Sequence, residues 1–133
     1  MLYLLKNKEL YIFLRDEVFF LGGKMKALVK HHRGYGARVD MVDIPSIRDD
    51  EVLIRVKAAS ICGTDVHIYT WDDWAKNRVH PPYVFGHEFA GDVVKVGGNV
   101  RSVKEGDFVS AETHLVCQKC PQCLEGNMHI CRN

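Results

Sequence analysis

The sequence predicts a mostly-β domain, a small barrel or sandwich that carries one short helix and a lobe built around cysteines. Three observations predict it. Short apolar and polar alternations recur between glycine and proline punctuation, the alternation breaks once after Ser60, and four cysteines crowd into residues 117–131. With 133 residues, 47% of them hydrophobic, the chain is long enough for a domain with a real core.

Residues 25–31 (MKALVKH) open the strand order, and a Gly34-Tyr35-Gly36 turn leads to a second segment near 37–44 that stops at Pro45. In the next segment, EVLIRVKAAS from Glu51, Val52, Ile54 and Val56 alternate with Leu53, Arg55 and Lys57, the pattern of a half-buried strand. Residues 62–70 (CGTDVHIYT) then read as a short helix with Thr64 or Asp65 as its cap. The aromatic and proline-rich stretch 71–85 reads as a loop laid over a core. A strand over 88–96, a Gly97-Gly98-Asn99 turn and a strand from Asp107 complete the β order. Residues 1–24 share none of it. They are expected to be an extension that adds nothing to the fold, with Met25 as the start of the functional protein.

A net charge of +1, from 18 basic and 17 acidic residues, offers no basic stripe for a nucleic acid backbone. No apolar run approaches the roughly 20 residues that span a bilayer, and no secretory signal is read. Five cysteines, an odd number with no sign of export, point to metal ligation in a reducing cytoplasm rather than to disulfides.

Cys117, Cys120, Cys123 and Cys131 form CxxCxxC followed by seven residues and a fourth cysteine. Four thiolates complete the tetrahedron that zinc prefers, and Pro121 and Gly126 supply the turns. The bacterial ferredoxin pattern also begins CxxCxxC, but it spaces its fourth cysteine by three residues and follows it with proline, where Arg132 stands here. Closed by four cysteines, such a site has a structural role. Cys62 and His87 make a second candidate, a soft and a borderline ligand at predicted strand edges. Read alone, each is more often a core cysteine or a hydrogen-bonded histidine. Gly63 and Gly86 beside them permit close backbone approach, and Thr64, Asp65, His67 and Glu88 add polar groups. A zinc-binding interaction module and a zinc-ribbon-like nucleic-acid binder stay open on these residues. The second is poorly served, because Lys119 and Arg132 are the only Lys or Arg in residues 115–133.

The segments ICGTDVHIY, PPYVFGHEFAGDVVKVG, KEGDFVSAETH and the spaced cysteines stand in the order found in zinc-dependent medium-chain alcohol and polyol dehydrogenases. Residues 25–133 resemble the GroES-like catalytic domain of that family throughout. Within it, WDDWAKNRVHPP and SAETHLVC are more similar to the L-threonine 3-dehydrogenase branch than to sorbitol or simple alcohol dehydrogenases. The resemblance implies a GroES-like small barrel with an embedded structural zinc lobe. It implies a catalytic zinc on Cys62 and His87, Glu88 as ligand or exchangeable carboxylate, and Asp65 orienting the histidine from behind. Thr64 and His67 match a relay that takes the substrate proton through the cofactor ribose, and His114 matches a position lining the amino-acid pocket. The implied reaction is NAD-linked oxidation of L-threonine, a small-molecule substrate, to 2-amino-3-oxobutanoate in a cytoplasmic homo-oligomer. Members continue into a Rossmann domain and a further zinc ligand. No GxGxxG stands between a strand and a helix here, so the chain is expected to be a truncated part of such an enzyme, inactive alone.

Overall fold

Side-chain alternation decides the strands in the computed structural model, which describes residues 23–112 and 116–132. Strand β1 (Lys24–Lys30) buries Met25, Ala27 and Val29, and β3 (Val52–Ser60) buries Val52, Ile54 and Val56. Strand β5 (Glu88–Val96) buries Phe89 and Val93. Three shorter strands, β2 (Arg38–Asp43), β4 (Tyr83–Val84) and β6 (Phe108–Ser110), flank them. Pairing is antiparallel throughout, in the orders β2-β1-β4 and β3-β5-β6. The buried faces of β1, β3 and β5 meet in one apolar cluster, which holds the two sheets together through side chains.

The closed barrel expected from the sequence is not formed. Among the described residues the strands make two separate three-stranded sheets, and no ladder joins one to the other. The reason lies in the edges. Strand β4 has two residues and β6 three, too few main-chain donors and acceptors to carry a continuous hydrogen-bonded ring. The mostly-β class, the short helix and the cysteine lobe all stand.

Helix α1 (Gly63–Thr70) follows β3, but its cap is Cys62 rather than Thr64 or Asp65. The Cys62 sulfur accepts from the Thr64 N–H at 3.3 Å, and the Asp65 carboxylate reaches back to the Cys62 N–H at 2.9 Å. Part of the expected loop is a second short helix, α2 (Asp73–Lys76), capped by Asp72. Ile68, Trp71, Ala75, Val79 and Phe85 bury a second cluster against Leu28 of β1. Lys30, fully buried, pins this helical corner to the sheet. Its Nζ donates to the carbonyls of Gly34, Gly36 (2.8 Å) and Tyr69 (3.1 Å) and lies 5.0 Å from the Trp71 ring centre.

The expectation for the N-terminal extension lies outside the described residues up to position 22. Lys24 opens β1 and pairs with Asp43 at 2.6 Å, and just before it the Gly23 carbonyl accepts from the Ile44 N–H at 2.8 Å. No described helix is long and apolar enough to cross a membrane.

Candidate metal centres

The register of β3 against β5 builds the first centre. Ser60 pairs with Glu88, so the chain leaving β3 through Cys62 runs beside the chain entering β5 through His87. Gly86 takes φ +112, a left-handed value that a side chain resists, and the resulting turn delivers His87. The Cys62 sulfur and His87 Nε2 stand 3.0 Å apart. On the other side of the ring, Asp65 Oδ1 lies 3.7 Å from Nδ1. Asp65 is buried, and while its Oδ2 holds the Cys62 N–H, its Oδ1 has no hydrogen-bond partner. That acceptor, facing an imidazole N–H, favours the tautomer with Nδ1 protonated and Nε2 bare. Donor atoms of Cys62, Asp65 and His87 all fall within 4.8 Å of one another. The two ring nitrogens point apart, however, so only Cys62 and Nε2 converge on one point and Asp65 backs the ring.

The second centre is made by local turns. Gln118 takes φ 59, Pro121 opens α3 (Pro121–Leu124), Gly126 takes φ +85, and a single 3₁₀ turn at Met128–Ile130 brings in Cys131. All four sulfurs lie within 4.8 Å of one another, with Cys120 to Cys123 at 3.4 Å and Cys117 to Cys123 at 4.0 Å. A zinc–sulfur distance of about 2.3 Å puts tetrahedral sulfurs about 3.8 Å apart, and none of the cysteines is in a disulfide. Main-chain N–H groups of Cys120 and Cys117 donate to the sulfurs of Cys117 and Cys131, each at 3.3 Å. The N–H groups of Arg132 and Cys123 hold the Cys120 thiol below its ordinary 9.0, whereas burial pushes Cys123 up to about 12. The donor set fits a thiophilic ion.

Two such clusters on one mostly-β chain agree with a family match that runs over residues 48–133, more than half of the chain. The chain belongs to the alcohol dehydrogenase GroES-like domain family. It is 64% identical over 112 residues to the L-threonine 3-dehydrogenase of Bacillus licheniformis, covering 84% of this chain and 32% of that enzyme. Against the L-threonine 3-dehydrogenase of Caldanaerobacter subterraneus, identity is 59% over 113 residues, 85% of this chain and 33% of the other. Among solved structures, an alcohol dehydrogenase from Thermus sp. ATN1 superposes with a TM-score of 0.70 at 34% identity, over 81% of this chain and 30% of that one. This GroES-like chain thus spans about a third of the length of the relatives it matches.

The other residues singled out by sequence fall in three places. Thr64 and His67, one turn apart on α1, share a face. Glu88 is tied to the sheet, where its carboxylate accepts from Ser60 Oγ at 2.6 Å and does not join the Cys62–His87 pair. His114 lies outside the described residues. Asp72 was missed. Its carboxylate takes His67 Nδ1 on one oxygen and the Ala75 N–H on the other at 3.0 Å. An aspartate opening an Asp-Asp-Trp-Ala run is an N-cap signal, and it was hidden inside a stretch read as loop.

Proposed function

We propose that this GroES-like domain is the substrate-side part of a zinc-dependent, NAD-linked dehydrogenase that oxidises L-threonine to 2-amino-3-oxobutanoate. One observation carries the reading: Cys62 and His87 Nε2 converge at 3.0 Å with the unsatisfied Asp65 Oδ1 behind the ring. The sequence identity with L-threonine 3-dehydrogenases supports the choice of substrate.

Cys62 and His87 would hold a zinc ion, which would supply Lewis acidity toward the substrate hydroxyl. Asp65 keeps Nε2 free of a proton so that the histidine can act as a ligand. Thr64 and His67, on one face of α1, form the path along which the hydroxyl proton leaves. Glu88, held by Ser60, is a carboxylate kept at the rim. The four-cysteine lobe would hold a structural zinc. NAD belongs to the whole protein, and among the described residues no strand, glycine-rich turn and helix follow in the order that cradles a dinucleotide.

A graft tests the reading. Residues 25–133 would replace the matching segment of the Bacillus licheniformis enzyme, and NADH production would be followed with L-threonine and with simple alcohols. L-Threonine-dependent turnover that Cys62→Ser abolishes is the expected result. A folded, zinc-loaded graft that is inactive, or that prefers simple alcohols, would overturn it.

A further inference from the structure

His67 and Asp72 lie outside both metal clusters, and their contact joins two helices. The Asp72 carboxylate is not a loose surface partner, because its Oδ1 already caps α2 through the Ala75 N–H at 3.0 Å. That cap fixes the plane in which Oδ2 meets His67 Nδ1. Trp74, the second residue of α2, sets its ring 5.6 Å from the imidazole at 37°, and the Arg78 guanidinium lies 5.2 Å from the indole ring centre. The imidazole is held by a carboxylate at one nitrogen and an aromatic ring alongside, while half of its side chain faces solvent.

We propose that Asp72 is a positioning residue that locks His67 in the Nδ1–H tautomer, so that Nε2 presents a bare lone pair as the proton acceptor at the outer end of the site. The inference rests on the reading of His67 as part of a proton path, and it names the group that makes His67 able to serve. A carboxylate accepts only, so the nitrogen it meets must carry the proton and the other must not. When Nε2 takes a proton from an O–H group, the oxygen keeps the electron pair and the ring becomes an imidazolium. Its charge then sits against the Asp72 carboxylate until Nε2 returns the proton to water. Asp72 is suited to that task, because the Ala75 N–H and the His67 ring both hold its carboxyl below the ordinary 3.8 and keep it ionised.

Two substitutions separate positioning from capping. Asp72→Asn keeps a good N-cap but offers an N–H to Nδ1, which forces the opposite tautomer. Asp72→Ser keeps the cap and is too short to reach the ring. Long-range proton–nitrogen NMR spectra of the full chain at alkaline pH show which His67 nitrogen is protonated. The expected result is Nδ1–H in the wild type, Nε2–H in Asp72→Asn, and loss of the fixed tautomer in Asp72→Ser. Carbethoxylation of His67 by diethyl pyrocarbonate, read by peptide mass mapping, should slow several-fold in Asp72→Asn. An Nε2–H wild type, a tautomer shared by wild type and either variant, or an unchanged labelling rate would overturn the proposal. None of these readouts needs turnover. An inactive graft beside a switching tautomer would therefore remove the threonine reading and leave the Asp72–His67 pair standing.

Discussion

At the scale of single residues, the chain spends buried polar groups where two elements must be joined. Lys30 is the clearest case, with no exposed surface and an ammonium shared among the carbonyls of Gly34, Gly36 and Tyr69. The Tyr69 carbonyl has a second donor in the Gly36 N–H, so removal of the lysine strands mainly the two glycine carbonyls. Lys30→Met is expected to cost about 2 kcal/mol in urea unfolding, a penalty for part-buried acceptors left without a donor. Burial lowers the Lys30 pKa below 10.5, so the folded chain gives up this proton before the unfolded chain does. Wild-type stability relative to Lys30→Met should accordingly rise between the lowered folded value and 10.5, and stay level at lower pH. Asp65 plays the matching part at the proposed metal site. Asp65→Asn is expected to weaken zinc at Cys62 and His87 by about 10–100-fold, as read by chelator competition, because the amide leaves one acceptor oxygen for two N–H groups, those of Cys62 and of the His87 ring.

At the scale of elements, what was legible followed from regular side-chain alternation, and what was missed was either set by strand-edge pairing or carried by segments too short to show a period. The burial of Val52, Ile54 and Val56 follows from alternation alone, and the span of β5 agrees with the expected 88–96. Barrel closure was misread because it depends on which edges pair, and short strands such as β4 and β6 carry little sequence signal about their neighbours. Helix α2 has four residues, too few for a 3.6-residue period to show. The cap of α1 was misplaced because cysteine is not a favoured capping residue; here the fold uses a sulfur that also faces His87. Cys62, His87 and the four-cysteine lobe were visible as ligand types at telling spacings. Asp72 was not, since its role appears only when α2 folds beside α1. One element contact is exacting: a Cβ placed on Gly91 of β5 would come 2.2 Å from the Arg55 carbonyl oxygen of β3. Gly91→Ala is expected to cost about 3 kcal/mol in thermal or urea unfolding, because backbone, unlike a flexible side chain, cannot move aside cheaply.

At the scale of the whole molecule, the two metal clusters should behave differently, and donor count decides how. Four sulfurs within 4.8 Å of one another close a tetrahedron, so this lobe should retain about one zinc per chain through dialysis. The other centre offers two converging donors, Cys62 and His87 Nε2, with Asp65 behind the ring and Glu88 engaged by Ser60, and it should lose its metal readily. Metal analysis after dialysis separates the two. Cys117→Ser should remove most of the retained zinc, and Cys62→Ser should leave it in place. The reverse pattern would assign tight binding to the wrong cluster. Acid should release the retained metal, since each ligand must be a thiolate and protons compete for the sulfurs. Burial pushes the Cys123 thiol up to about 12 without metal, so zinc entry must expel a proton that this sulfur would otherwise keep at neutral pH. Zinc added to stripped chain in weak buffer should therefore acidify the solution, and Cys123→Ser should reduce the protons released. Retention should fall as pH falls, and stripping the zinc with a chelator should lower the unfolding midpoint, because a ligand that binds only the folded lobe stabilises it by mass action. A stripped chain that keeps its midpoint would show that the turns at Gln118, Pro121 and Gly126 hold the lobe without metal.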